Sequence, residues 1–382
     1  MQVSHNAKGH PMADGMNLGL SAGQQAIKDQ FHLIAREDLL NRSAEVEREG
    51  LDLKLLTQLL DGAGIAPATL LEQGAGDPHT LLVAVEELAY GDAGIGWAAV
   101  PAFQIATILG TCGTAGQRRA ARDVFGNDAA ATASVLLYED FGRQPSELET
   151  RITRTPEGWT AAGHKSSVAY PHGADISLLV GREGDELAGF CFTGPRPGLT
   201  ADRDDREAGK IAITAVPSGP VSIEGLTVTA DERLAAGPEL HRAVGQARLL
   251  LAAALIGVSR ASLEFCAAYA VHRTTWGKPL AQYQGVSFPL IEHATELEEV
   301  RLLVWDVAAR LAKHGAVADI ERQVSRAVNR ASSLGLRATR DGVQLIGVRG
   351  ITRDLPAERW YRAAAVLGAI DFDVLETPFG LS

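Results

Sequence analysis

HRTTWGKPLAQYQG, residues 272–285, stands between two of the most apolar, alanine-rich runs in the chain. On its N-terminal side AVGQARLLLAAALIGVSRASLEFCAAYAVHR continues without a proline. On the other side, FPLIEHATELEEVRLLVWDVAARLAKHG places Leu290, Ala294, Leu297, Val300, Val304, Ala308 and Leu311 on one stripe, at alternating steps of three and four. A further run, 317–341, puts Ile320, Val324, Ala327, Ala331, Leu334 and Ala338 on one face. Long helices joined by short turns pack as a bundle, here a four-helix-type one. The quoted stretch then reads as a tight reversal held by Gly277 and Pro279. Its Arg273, Trp276, Lys278, Tyr283 and Gln284 are more than a connector requires.

Working outward, residues 1–21 read as a flexible tail and 22–126 as an N-terminal helical domain. In EVEREGLDLKLLTQLLDGAGI, apolar residues recur through Leu51, Leu55, Leu59 and Leu60 until Gly62 and Gly64 stop the run. HTLLVAVEELAYGDAGIGWAAV predicts a second helix broken near Gly91, and a third run follows at 102–110. Between 127 and 237 the pattern changes to short Val-, Ile- and Thr-rich runs punctuated by PEG, REGD, GPRPG and PSG, the signature of a small β-barrel or sandwich. Residues 238–382 complete the chain as the helical bundle. The fold class is therefore α+β: helices, a middle β domain, then helices.

At 46% hydrophobic and 22% charged residues, the composition is that of a globular protein. A net charge of -11 argues against a phosphate-tracking surface, so nucleic acid is excluded as the expected partner. Cys112, Cys191 and Cys266 are far apart and lack metal-ligand spacing, so they read as buried apolar side chains and no metal is expected. The N-terminus lacks a signal-peptide pattern, and LLLAAALIGV at 249–258 is too short to span a bilayer. A cytoplasmic protein without membrane insertion is expected.

The motif R-x-x-[FW]-G-K-P-[IL]-x-x-[FY]-Q, met here from Arg273 to Gln284, resembles the turn between the first two bundle helices of the acyl-CoA dehydrogenase superfamily of flavoproteins. VQLIGVRGITRDLPAERWYRAA, 343–364, is similar to a second motif of that family. The resemblance implies FAD as cofactor and a thioester of CoA or an acyl carrier protein as substrate. It implies electron delivery to a flavoprotein or to oxygen, and a homo-oligomer (dimer or tetramer) or a heteromer with a paralogue. A pyrophosphate needs a fixed cation, and Arg273 offers a forked donor at a helix end. By the resemblance Trp276 packs on the cofactor and Gln284 contacts it, while Gln344, Gly347 and Gly350 receive the adenosine diphosphate portion from a neighbouring subunit.

The family's reaction removes a proton α to the thioester carbonyl with a carboxylate, the β-hydrogen passing to flavin N5. The aligned position of the usual glutamate holds Asp371, an arm one methylene shorter, with Asp373 and Glu376 nearby. Nitroalkane oxidase, a relative in the superfamily, uses an aspartate as its base. Where the family has an aromatic flavin platform followed by a hydroxyl residue, this chain has Ser167, Val168 and Ala169; where it has Ser or Thr before Glu, it has Tyr138 before Glu139. Only eleven residues follow Asp371, so the family's closing helix is expected to be missing or stunted. Arg349 stands where a small residue is usual. The implied activity is α,β-dehydrogenation. The alternatives are a flavin-dependent monooxygenase or oxidase of the same superfamily, and a non-catalytic partner subunit that supplies half a flavin site.

Overall fold

The computed structural model describes residues 19–74, 77–139, 144–201, 210–312 and 317–372. Ser21 starts helix α1 (Ala22–Ile34) with a reciprocal cap: its hydroxyl accepts from the Gln24 N–H while the Gln24 side chain accepts from the Ser21 N–H. A π-helical turn, Ala35–Leu39, leads into α2 (Leu40–Glu49). The single run expected through Leu51–Leu60 is split, because Gly50 takes φ 95° and Asp52 caps a fresh helix, α3 (Leu53–Gly62). Within α3, Leu56 joins Leu60 in the core while Leu55 and Leu59, like Leu51 before the helix, are only half-buried.

The helices α4 (Pro67–Gln73), α5 (Pro78–Gly91), α6 (Ala93–Cys112) and α7 (Ala115–Asn127) follow. Asp92 makes the break at Gly91: its carboxylate accepts from the Ile95 N–H and opens α6. The run at 102–110 continues α6 rather than forming a separate helix.

The middle region holds β1 (Ala133–Leu136), β2 (Arg151–Thr155), β3 (Gly158–Ala169), β4 (Ile176–Glu183), β5 (Glu186–Thr193), β6 (Leu199–Ala201) and β7 (Ser218–Val228). They form one seven-stranded sheet in the order β1-β4-β2-β3-β7-β6, with β5 hydrogen-bonded to β4. Its two faces go to different cores. In β4, Leu179 packs with Phe190, Phe192 and Val221 in a core belonging to the sheet alone, whereas Leu178 and Val180 join the large helical core. Burial on both faces explains why Leu178, Leu179 and Val180 follow one another with no polar residue between them.

The bundle is built around α8 (Pro238–His272), which packs against α5, α6 and three later helices, α9 (Gln284–Leu311), α10 (Val317–Ile346) and α11 (Ala357–Gly368). Gly257 lets α8 touch α5, since a Cβ there would lie 2.2 Å from the Glu86 carbonyl oxygen. The expected face of α10 is buried throughout, from Ile320 to Ala338. On α9 the stripe holds from Leu297 to Leu311, but Ala294 is exposed and His293 is turned inward, donating from Nε2 to Asp341 at 2.9 Å. Four buried charges lock the register of α5, α8 and α9: Arg260 donates to Glu86 and Glu87 at 2.8 Å each, and Arg301 reaches Glu86 at 2.9 Å. Such a pairing contributes to specificity more than to net stability.

Helices α6 and α8 are long and apolar enough to cross a membrane, yet 83% and 89% of their most apolar windows are buried inside the protein. They are core helices. All three cysteines are buried and unpaired, and burial pushes the Cys266 thiol up to about 11. Among the described residues no cluster of three or more His, Cys, Asp or Glu is placed to hold a metal.

Candidate functional site

Where the β-sheet meets the bundle, a cleft of about 330 Å³ opens between Ser166 and Ser167 of β3, Ser218 and Gly219 of β7, Trp97 of α6, and the last turn of α11. Ala365, Val366, Ala369 and Ile370 form the helical wall, and Lys210 and Ile211 lie on the sheet side. The polar lining is hydroxyl and ammonium groups, with no carboxylate among the described lining residues. Trp97 is buried, and its indole N–H has no hydrogen-bond partner among the described residues.

The helical wall ends in a turn closed by hydrogen bonds from the Ala369 N–H to Val366 and from the Ile370 N–H to Leu367, and this turn delivers Asp371. The Asp371 side chain is 6% exposed and gripped by Arg248 of α8: Nε donates to Oδ1 at 2.9 Å and Nη2 to Oδ2 at 2.8 Å. Arg248 is 1% exposed, and its guanidinium lies 4.8 Å from the centre of the Phe372 ring. Burial works against its charge, and Asp371 more than offsets that, holding the guanidinium above its ordinary value. The same Nη2 donates to Ser325 Oγ of α10 at 2.9 Å, and Ser325 donates on to Gln144 Oε1 at 2.6 Å. Asp373 and Glu376 lie outside the described residues.

Below this turn Tyr138 is buried, its ring 5.5 Å from that of Phe372, and burial pushes its phenol far above the usual range. It is not among the residues lining the cleft; it supports the Asp371 turn from beneath. Its neighbour Glu139 accepts from Lys165 of β3 at 2.9 Å and from the Thr150 N–H at 2.9 Å. Lys165 is fully buried and also donates to the carbonyls of Leu137 and Val180. Burial disfavours both charges, yet Lys165 keeps Glu139 below its ordinary value. The strand carrying Ser166 and Ser167 is thereby pinned to β1 and β4.

The hairpin is at the other end of α8. Thr274–Thr275 pairs with Lys278–Pro279, and the two central residues, Trp276 at φ 47° and Gly277 at φ 83°, both lie in the left-handed region favoured by two-residue hairpins. Trp276 is 90% exposed, with only the edge of Tyr283 against it at 6.4 Å. A bulky residue held at positive φ and left in solvent is unfavourable locally and points to a role in binding. Arg273 and Gln284 are exposed beside it, and Val271, Phe288 and Ile291 extend an apolar surface around them. Gln344 lines a separate groove of about 350 Å³ between α8, α9 and α10, together with Gly285, Pro289 and His293. Gly347, at φ 76°, and Gly350 belong to the 3-10 turn Gly347–Ile351, where Arg349 is exposed and Val348 and Ile351 are exposed apolar residues.

The structure thus brings Ser167 to the cleft with the turn that carries Asp371, and the hairpin begins 25 residues beyond Arg248 along α8, about 37 Å away along its axis. Sequence reasoning missed Arg248 and Lys165, each with its partner far away along the chain. The available signal was chemical: a guanidinium beside LLLAAALIG on a core helix and a lysine in a strand flanked by small residues both demand a buried counter-charge.

Helices, a mixed sheet and a long-helix bundle with a cleft at the sheet–bundle junction define a three-part class that recurs among solved enzymes. Residues 240–371 match the family described as acyl-CoA dehydrogenase, C-terminal domain. The chain is 27% identical over 307 residues to the 3-sulfinopropanoyl-CoA desulfinase of Paraburkholderia xenovorans (strain LB400), covering 76% of each. It is 24% identical over 358 residues to the mouse (Mus musculus) mitochondrial short-chain specific acyl-CoA dehydrogenase, covering 90% of this chain and 85% of that one. Its fold matches butyryl-CoA dehydrogenase from Megasphaera elsdenii with a TM-score of 0.78 at 22% identity, over 95% of this chain and 98% of that one. The C-terminal bundle thus matches the acyl-CoA dehydrogenase family model, and the chain as a whole is similar to acyl-CoA dehydrogenases and shares their fold.

Proposed function

We propose that this protein is an FAD-dependent oxidoreductase that introduces an α,β double bond into an acyl thioester of CoA or an acyl carrier protein. The observation that carries the reading is the cleft at the sheet–bundle junction, with Ser167 on one wall and the Asp371 turn closing the other. A cleft of about 330 Å³, walled by apolar Val366 and Ile370 and edged by serine hydroxyls, suits the flat, acceptor-rich flavin ring. When bound, FAD supplies the two-electron acceptor for the substrate's β-hydrogen.

The chain's own residues do the rest. Asp371 takes the α-proton, and its backbone N–H polarises the thioester carbonyl. Arg273 and Gln284 hold the pyrophosphate of an FAD whose ring lies in another copy's cleft, with Trp276 packed on the cofactor. Gln344, Gly347 and Gly350 of a second copy receive the adenosine end, so the working form is a homo-oligomer, a tetramer by analogy with the superfamily. The exposed apolar residues around both motifs, Phe288 and Ile291 near the hairpin and Val348 and Ile351 at the glycine turn, supply the surface such an assembly buries. A second flavoprotein collects the electrons, and three reduced, buried thiols suit a cytoplasmic location.

The test is an absorption spectrum of the purified protein, followed by anaerobic titration with a panel of acyl-CoA thioesters. Bound flavin that bleaches with one of them is the expected result. A chain that takes up no flavin, alone or after reconstitution, overturns the reading.

A further inference from the structure

The assigned base is not free in this fold. Both oxygens of Asp371 accept from Arg248, and that guanidinium is itself held by Ser325, which is held by Gln144. These four side chains come from the turn after α11, the middle of α8, α10 and the segment before β2, and Arg248, Ser325 and Gln144 are buried. Arg248 has a second hold on the turn through the face of Phe372, whose ring meets Tyr138. We propose that Arg248 is the positioning residue of the active site: it sets the direction in which the short Asp371 arm presents its carboxylate to the thioester.

The argument is one of geometry. Asp371 follows directly on the turn closed by the Ala369 and Ile370 N–H groups. A single-methylene arm samples few positions, yet an error of about 1 Å at a reacting carboxylate costs on the order of a hundredfold in rate. A forked guanidinium making two parallel bonds fixes both the distance and the plane of the carboxylate, which a lysine ammonium does not. Ser325 and Gln144 in turn fix the plane of the fork. Each carboxylate oxygen that accepts from Arg248 keeps a second lone pair.

This inference rests on the function proposed above, and the experiment separates the two. Arg248→Ala, Arg248→Lys, Asp371→Asn and the double variant Arg248→Ala/Asp371→Asn are prepared in the flavin-loaded protein and in the flavin-free chain. With the thioester that bleaches the wild type, Arg248→Ala is expected to lower kcat about 100-fold with KM changed less than about 3-fold. Adding methylguanidinium to that variant is expected to restore kcat at least about 10-fold, and Arg248→Lys is expected to fall between it and wild type. A structural role alone would not be rescued in this way. In the flavin-free chain, urea unfolding should show the two single losses to be strongly non-additive, the double variant being more stable than Arg248→Ala, because it no longer buries a lone carboxylate. Unchanged kcat in Arg248→Ala, loss without rescue by methylguanidinium, or additive unfolding losses each overturn the proposal. If the wild type binds no flavin, the functional reading fails, while the unfolding cycle still decides whether Arg248 holds Asp371.

Discussion

The two ends of helix α8 differ in how complete they are. At the Arg248 end every charge is answered from within the chain: guanidinium, carboxylate, serine and glutamine form a closed, buried series. At the Arg273 end the polar and aromatic groups face solvent, and Trp276 occupies a strained backbone position with almost none of its surface covered. The buried end is organised for accuracy and the exposed end for capture. Substitutions at the first should therefore cost stability and rate together, whereas those at the second should cost affinity alone.

Asp371→Asn presses hardest on that contrast. It leaves Arg248 buried without a counter-charge, and the expected loss is about 3–5 kcal/mol in urea unfolding, together with loss of thioester-driven bleaching. A loss below about 1 kcal/mol would place the pair in water and remove the distinction. At the other end, Arg273→Ala is expected to weaken FAD binding by about 10- to 100-fold while unfolding of the flavin-free chain stays within about 0.5 kcal/mol of wild type. Equilibrium dialysis and urea titration check the two halves of that statement.

Trp276→Gly sharpens the same point from the backbone. Glycine is at ease at φ 47°, so the flavin-free chain should gain about 0.5–1 kcal/mol, while flavin affinity and self-association both decline. Sedimentation velocity alongside thermal unfolding reads both effects, and a net loss of stability would mean that the indole's contact with Tyr283 outweighs the strain.

The smallest effect lies away from both ends, where His79 of α5 faces Asp77 at 3.6 Å and its Nε2 donates to the Trp305 carbonyl of α9. Its bond to Asp77 holds His79 above its ordinary value despite burial, and the bond to His79 holds Asp77 well below the usual carboxylate range. The sign follows for each partner. Raised His79 contributes below its unfolded pKa of about 6.5, and that contribution is lost as pH rises through the folded value. Depressed Asp77 contributes above about 4 and loses its share in acid. The pair is half-exposed, so less than about 1 kcal/mol is expected. Thermal unfolding of wild type and His79→Asn should differ most near pH 5, and the difference should shrink as pH rises through the raised folded pKa of His79.

How much of this was legible in the sequence depends on the range of the interaction that fixes each feature. The bundle helices were readable because periodicity is local: Ile320 to Ala338 repeats at helical spacing and is buried as spaced. The break at Gly91 was readable because a glycine and a capping aspartate stand side by side. Leu51 to Leu59 misled because the buried face of α3 runs through Leu56 and Leu60, one position on from Leu55 and Leu59, and a spacing of four fits both pairs equally. At the site, Asp371 was found by its place in a motif, but its partner lies on another helix, and no local pattern links the two. The sheet order, with β4 between β1 and β2, is a non-local fact of the same kind.

Helix α8 runs unbroken for 35 residues, about 52 Å, from before Arg248 to the hairpin that begins at Arg273. It acts as a ruler. One residue inserted between those arginines would lengthen it by only about 1.5 Å but would swing one end about 100° around the axis relative to the other. Drift in this lineage is therefore held to the count of residues along the rod as well as to the identity of those, such as Arg248, Gly257 and Arg260, that meet other elements.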